Sequence, residues 1–221
     1  MSEARQIVYR PFGDKDFDAV AGLFAAQWCS ELPEEAARLA SSIDACTYLA
    51  ATDWSLIAQD AQTGEVLGVA LVHLGGAPQE RWIVRKEKLF AEARSNEDLL
   101  RDLMRDVSVI DEEAALGAEY AASGQVGCEA ELKLLIVSPK AQGLGVGGRL
   151  FGEVRERVAE AGLRGFYLLT DDSCDVSFYE HKKMLRMASR PISVTEPPCQ
   201  MSASAPEGEG FNMYVYAQDV R

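Results

Sequence analysis

The sequence predicts an α/β protein of the α+β kind. It reads as a mixed central sheet of about six to seven strands flanked by helices, with extra helices inserted before a strand that enters a glycine-rich loop. Three observations predict this. Seven short apolar or alternating runs are spread along the chain, separated by segments whose apolar residues recur at helical spacing. One of these runs, Glu131–Val137, leads into a loop with four glycines in six residues and then into an amphipathic helix. Residues 81–122 are rich in Leu, Ala, Glu and Arg and carry no strand signal. The length of 221 residues suits one domain over residues 1–221, with 81–122 as an insertion within it.

Taken in order, Ile7–Arg10 alternates as a strand and ends at the turn Pro11-Phe12-Gly13-Asp14. Asp16 is placed to cap a helix whose apolar stripe is Phe17, Val20, Leu23 and Phe24. Pro33-Glu34-Glu35 starts a second helix, with proline and acids in the first turn, running to about Leu49. Residues 54–59 and 66–74 are strands joined by the turn at 60–64. The insertion holds two or three helices, with an apolar stripe of Leu99, Leu100, Leu103, Met104 and Val107. In Glu131–Val137, the run Leu134 to Val137 predicts burial on both faces. A helix follows over about 145–161 (Leu150, Val154 and Val158 on one face), then a strand at 166–170. A short helix at 175–183, a strand at 185–194, a loop at 196–210 and a closing strand at 211–217 complete the chain.

Composition excludes whole classes of function. With 48% hydrophobic residues the chain is not disordered, and no run of about 18 apolar residues provides a membrane helix. Residues 1–10 are mixed and polar with no apolar leader core, which predicts an unsecreted, cytoplasmic protein. Lys and Arg number 22 against 35 Asp and Glu, a net charge of −13, so neither nucleic acid nor an anionic membrane is an expected partner. Charge is uneven along the chain: residues 97–131 hold ten acids against two arginines, whereas 133–164 hold six bases against three acids. The five cysteines (29, 46, 128, 174 and 199) form no CxxC pair, and with only two histidines no metal site is expected.

The loop is Ser138-Pro139-Lys140-Ala141-Gln142-Gly143-Leu144-Gly145-Val146-Gly147-Gly148. Glycines let the backbone turn tightly and approach a ligand, and the free N–H groups of the helix start favour an anion. These properties make a phosphate cradle; the plainer reading is a turn that packs helix against sheet. A P-loop is excluded because no Lys-Ser or Lys-Thr follows the glycines. Gly143-x-Gly145-x-x-Gly148 matches the dinucleotide fingerprint, but five residues separate it from the strand, where that motif follows almost directly. This match keeps an NAD-type oxidoreductase open as an alternative.

Gln142-x-x-Gly145-x-Gly147 resembles the Q/R-x-x-G-x-G/A motif of the GCN5-related N-acetyltransferases (GNAT). The frame is similar too: an apolar strand, Val137-Ser138-Pro139, the motif, then an amphipathic helix. The resemblance implies an acyl-CoA N-acyltransferase-like fold with a mostly antiparallel sheet. It implies that Ile136 and Val137 contact the pantetheine arm of acetyl-CoA, and that Gln142, Gly143, Leu144, Gly145, Val146, Gly147 and Gly148 cradle its pyrophosphate. A backbone N–H near Ile136 would polarise the thioester carbonyl. Residues 172–179 resemble the family's second coenzyme segment, Asn-x-x-Ala-x-x-x-Tyr, with Asp172 and Asp175 at the Asn and Ala positions, and Lys183-Met184 where Gly-Phe often follows.

The implied reaction is direct transfer of acetyl from acetyl-CoA to a primary amine, which must lose a proton. By resemblance Glu131, or Glu129 at the same strand parity, is the base, and Tyr179 is the acid that protonates the departing thiolate. Acids of the insertion (Asp98, Asp102, Asp106, Asp111, Glu112, Glu113) suit a cationic small-molecule or peptide amine as acceptor, and equally a solvated face. Leu99, Leu103 and Val107 also suit a homodimer contact. A non-catalytic CoA-binding sensor remains the other alternative, motivated by Asp172 and Asp175.

Overall fold

A computed structural model describes residues 5–94, 97–192 and 211–221. Its strands are β1 (Ile7–Arg10), β2 (Trp54–Asp60), β3 (Val66–His73), β4 (Glu131–Val137), β5 (Gly165–Asp171), β6 (Leu185–Ile192) and β7 (Phe211–Asp219). Its helices are α1 (Phe17–Trp28), α2 (Glu34–Ala50), α3 (Glu80–Ala93), α4 (Glu97–Ala121), α5 (Val146–Glu160) and α6 (Ser177–His181). All seven strands join one sheet in the order β1-β2-β3-β4-β5-β7-β6. Among the described residues only β4 and β5 pair in parallel; every other neighbour is antiparallel. That topology is incompatible with the parallel doubly wound sheet a dinucleotide site requires.

Strand alternation assigns the two faces. Ile57, Val69, Leu71, Leu134 and Ile136 pack under Phe17, Val20 and Phe24 of α1 and Cys46 and Leu49 of α2. Leu56, Ala70, Leu132 and Leu168 face the other way, against Leu150, Val154 and Val158 of α5. Each of these fully buried aliphatic side chains stabilises the layer by about 1.5–3 kcal/mol relative to exposure. Gly68 sets how closely α5 approaches: a Cβ there would lie 2.9 Å from the Ile136 carbonyl oxygen and 3.2 Å from Leu150 and Val146.

Residues 81–122, expected to hold two or three helices, contain α3 and α4. Leu103 of α4 packs with Leu39, Ile43 and Ala93, and Leu116 and Tyr120 pack on Tyr167, Met213 and Val215 of the sheet. The side chains of Asp98, Leu99, Asp102, Met104, Asp106 and Val107 lie outside the described residues, as do the predicted loop 196–210 and Cys199. No helix among the described residues is long and apolar enough to cross a membrane.

Two expectations are corrected. Asp16 does not cap α1. Its carboxylate accepts bonds from Arg10 Nη1 and Nη2, both at 2.7 Å, and from the Gly13 N–H at 2.8 Å. It therefore ties β1 to the turn before the helix and lies below its ordinary pKa, chiefly through Arg10. β4 is not buried on both faces along Leu134 to Val137: Leu134 and Ile136 are buried, but Leu135 and Val137 are half-buried. The cause is an opening beside the strand.

Candidate active site

The opening begins where β4 and β5 part. They pair at Glu131 and Tyr167, and the Tyr167 N–H donates to the Ala130 carbonyl at 3.0 Å. Beyond that point no β4–β5 pairing continues among the described residues. On the β3 side Leu71 pairs with Leu134 and Val72 with Leu132, so Lys133 is an extra, bulged residue. A bulge bends its strand and re-aims its side chain. Here it turns β4 away from β5 and puts Lys133 on the wall of the cleft.

That cleft holds a cavity of about 160 Å³. Its strand walls are Leu132 to Leu135 of β4 and Leu168 to Asp171 of β5. Phe24 and Trp28 of α1, Asp44 and Tyr48 of α2, Ile110 and Glu113 of α4, and Phe211 and Met213 of β7 close one side; Ser173, Cys174 and Tyr179 lie on another.

The glycine loop continues β4: Leu135 lines the cavity, and Ile136 and Val137 lead from it into the loop. The Ser138 hydroxyl accepts from the Lys140 N–H at 3.3 Å, which starts a 3₁₀ turn over Pro139–Ala141. Gly143 and Gly145 then take φ of +76° and +73°, a left-handed conformation that penalises a Cβ. This pair of turns delivers the chain into α5. The first ladder bond runs from the Arg149 N–H to the Gly145 carbonyl, leaving the N–H groups of Val146, Gly147 and Gly148 outside the ladder. Gln142, Gly143, Leu144 and Gly145 are exposed, whereas the Val146 side chain is buried and offers only backbone. A Cβ on Gly148 would sit 3.4 Å from the Lys182 ammonium nitrogen, so a cation stands beside the cradle. Sequence reasoning missed Lys182; its helix is too short to give a periodic signal.

Tyr179 of α6 packs its ring on Phe178 and Tyr216, with centroids 5.4 and 5.9 Å away. Burial raises its phenol well above the ordinary range, and Cys174, Asp175 and Asp171 add to that. The phenol is therefore protonated throughout the neutral range. Asp172 does not face the cleft in place of the family's Asn. Its carboxylate accepts from the Asn212 N–H at 2.7 Å, the Asn212 amide at 3.1 Å and the Tyr214 hydroxyl, fastening the strand end to β7. Asp175 accepts from the Ser177 N–H at 3.1 Å and opens α6. His181 is exposed.

The two carboxylates expected from the strand are not cavity wall residues. Glu129 is bound by the Arg164 side chain and backbone N–H, which hold it below its usual pKa, the backbone bond most. Glu131 is 8% exposed; Lys133 donates to it at 2.6 Å and the Tyr167 hydroxyl at 3.0 Å. Its partner Lys133 lines the cavity. Three carboxylates do line the cavity, those of Asp44, Asp171 and Glu113; Glu113 is half-buried and accepts a 2.8 Å bond from the Tyr48 hydroxyl. Burial pushes it up from 4.5 to about 7; Lys133 and Tyr48 oppose the shift, Glu131 and Asp171 add to it. A helical stripe marks it in retrospect, since Glu113 shares a face with Leu116, Gly117 and Tyr120, all buried.

No family model and no curated protein sequence matches the chain. Solved structures do match. One is a chain assigned to the GNAT acetyltransferase family from Desulfovibrio desulfuricans, 14% identical with a TM-score of 0.54, covering 98% of this chain and 100% of its own. The chain has the GNAT fold. The C-terminal condensation domain of Ebony, in complex with beta-alanyl-dopamine, matches with a TM-score of 0.59 at 13% identity, covering 98% of this chain and 100% of its own. An aminoglycoside 6'-N-acetyltransferase complexed with coenzyme A matches with a TM-score of 0.54 at 15% identity, covering 97% of both chains. Within the GNAT fold seen here, the parted β4 and β5 and the loop that enters α5 lie side by side, and α4 of the insertion supplies part of the cleft wall.

Proposed function

We propose that the protein is an N-acetyltransferase that moves an acetyl group from acetyl-CoA to a primary amine by direct attack. The observation that carries the reading is the adjacency of two unlike sites: an exposed glycine cradle at the α5 N-terminus, and a cleft between parted strands that holds a protonated phenol. The cradle suits the pyrophosphate of acetyl-CoA because its glycines put no side chain over three open N–H groups, and Lys182 adds a cation. The unpaired edge of β4, through Ile136 and Val137, suits the amides of the pantetheine arm. Acetyl-CoA supplies the activated acyl carbon and a good leaving group. The chain positions the amine against that carbon, and Tyr179 gives its proton to the leaving sulfur as the carbon–sulfur bond breaks. No covalent bond to the enzyme is needed.

Calorimetric titration with acetyl-CoA tests the binding half, with NADH as the control. Micromolar binding of acetyl-CoA with NADH silent is expected, and no acetyl-CoA binding refutes the reading. Tyr179→Phe is expected to lower kcat about 10²-fold while leaving the Kd of acetyl-CoA unchanged. Acetyl-CoA binding without transfer to any amine of a broad panel would instead identify a sensor module.

A further inference from the structure

The inserted helix α4 contributes to the cleft the one feature that the glycine loop and the parted strands do not explain. Glu113 lines the same cavity as Tyr179, and its carboxylate is oriented by the Tyr48 hydroxyl at 2.8 Å. The nearest opposite charge, Lys133, is already engaged by Glu131 at 2.6 Å. The Thr170 hydroxyl lies on the same wall, 8% exposed, with no oxygen or nitrogen partner and only the weakly polar Cys174 thiol beside it. Phe24, Trp28, Ile110, Phe211 and Met213 give the cavity an apolar share of wall, beside a second carboxylate, that of Asp44. The cavity of about 160 Å³ must also admit the acetyl end of acetyl-CoA, so the space left for the acceptor's body is small.

We propose that Glu113, carried by the inserted helix and not by strand β4, receives the ammonium of the acceptor and takes up its proton, and that the acceptor is a primary amine on a compact apolar body. This rests on the acetyl-transfer reading above. In the step, the ammonium N–H bond breaks and its proton passes to a Glu113 oxygen. The freed nitrogen lone pair forms the amide bond to the acetyl carbon, the carbon–sulfur bond breaks, and the thiolate takes the Tyr179 proton. The groups facing Glu113 are Asp44 and Tyr48 from α2, Lys133 and Glu131 from β4, and Asp171 from β5. With its carboxyl carried up toward neutral pH and so partly protonated at pH 7, binding of an ammonium expels a fraction of a proton.

The test uses the full chain with coenzyme A bound and 2-phenylethylamine as the probe, titrated calorimetrically at pH 7 in buffers of different ionisation enthalpy. Wild type is expected to release a fraction of a proton on binding the amine, less at pH 8 than at pH 6, and Glu113→Gln none. With acetyl-CoA, Glu113→Gln is expected to lose about 10²-fold or more in kcat/KM together with the inflection near pH 7, while the Kd of acetyl-CoA is unchanged. Tyr48→Phe, which removes the bond opposing the shift, moves that inflection upward. Amine binding with no linked proton, or an unchanged pH profile in Glu113→Gln alongside its loss in Glu131→Gln, overturns the proposal. Failure of the amine to bind at all overturns it too. Proton release without any turnover leaves Glu113 as the ammonium site and sinks the acetyl-transfer reading instead.

Discussion

Replacing Glu113 with Gln probes the cleft without any substrate, through stability alone. A carboxyl carried from 4.5 to about 7 on folding binds more protons in the native chain than in the unfolded one between those values. Native stability therefore falls as pH rises through that window, and the full penalty stands above pH 7. The displacement is equivalent to at most about 3 kcal/mol. Because Glu113 is only half-buried, water in the cleft screens part of that, and about 1–3 kcal/mol is expected. Gln cannot ionise, yet it keeps an oxygen for the Tyr48 hydroxyl. The variant should therefore match wild type at pH 4, overtake it between pH 5 and 7, and stay ahead at pH 8. For a chain of this length each kcal/mol corresponds to about 2–4 °C in Tm. Urea unfolding of both proteins at pH 4, 6 and 8, with equal m-values, reads the difference directly. A gap that does not change with pH, or one in which wild type gains on the variant as pH rises, would show a carboxylate well satisfied by Lys133. The argument for Glu113 as a proton acceptor would then fail.

Two further predictions address the scaffold. Gly68→Ala forces a Cβ to within 2.9 Å of the Ile136 carbonyl of β4 and 3.2 Å of Leu150 and Val146 of α5, so β4 and α5 must both give way; a loss of about 1–3 kcal/mol and a weaker Kd for acetyl-CoA are expected, and an unchanged denaturation midpoint would refute the tight-packing account. Lys183 has φ of +61° just after α6, at the position where the resembling family often has Gly. A non-glycine residue there costs about 1–2 kcal/mol, so thermal stability should rank Lys183→Gly at or above wild type and Lys183→Val clearly below it, and the reverse order would remove the strain.

What the sequence made legible follows from how local each feature is. The hairpin of β2 and β3 was readable because its turn residues, 60–64, separate two apolar runs, and the strand limits fell within one or two residues. The loop at 143–148 was readable because left-handed backbone at Gly143 and Gly145 demands glycine, so the chemistry of binding is written into residue type. Asp16 was misread for the opposite reason. Its type and position suit a cap, but Arg10 on the preceding strand competes for the same carboxylate and wins with two charge-assisted bonds. Nothing in Glu131–Val137 announces a bulge at Lys133, because a bulge is fixed by register against β3 and not by the strand's own residues.

The same distinction explains why the acceptor side was the hardest part to read. Parity along a strand pairs Glu129 with Glu131, but β4 begins at Glu131 and Glu129 lies in the turn before it, and residue type cannot say that Arg164 and Lys133 occupy the two carboxylates. Among the acids of residues 97–131, Glu112 is exposed and Glu113 is not, a difference of one position that depends on where α4 crosses the sheet. The crossing is fixed by Leu116 and Tyr120 settling on Tyr167 and Met213, and by the Tyr167 hydroxyl, which donates to both Glu131 and the Gly117 carbonyl, the latter at 3.2 Å. The contacts that seat α4 therefore also occupy Glu131 and bring Glu113 to the cleft. Lys133 and Tyr167 engage Glu131, while α4, seated on that same Tyr167, supplies Glu113, and a change in how α4 packs would alter the proton acceptor and the acceptor pocket together while leaving the glycine cradle untouched.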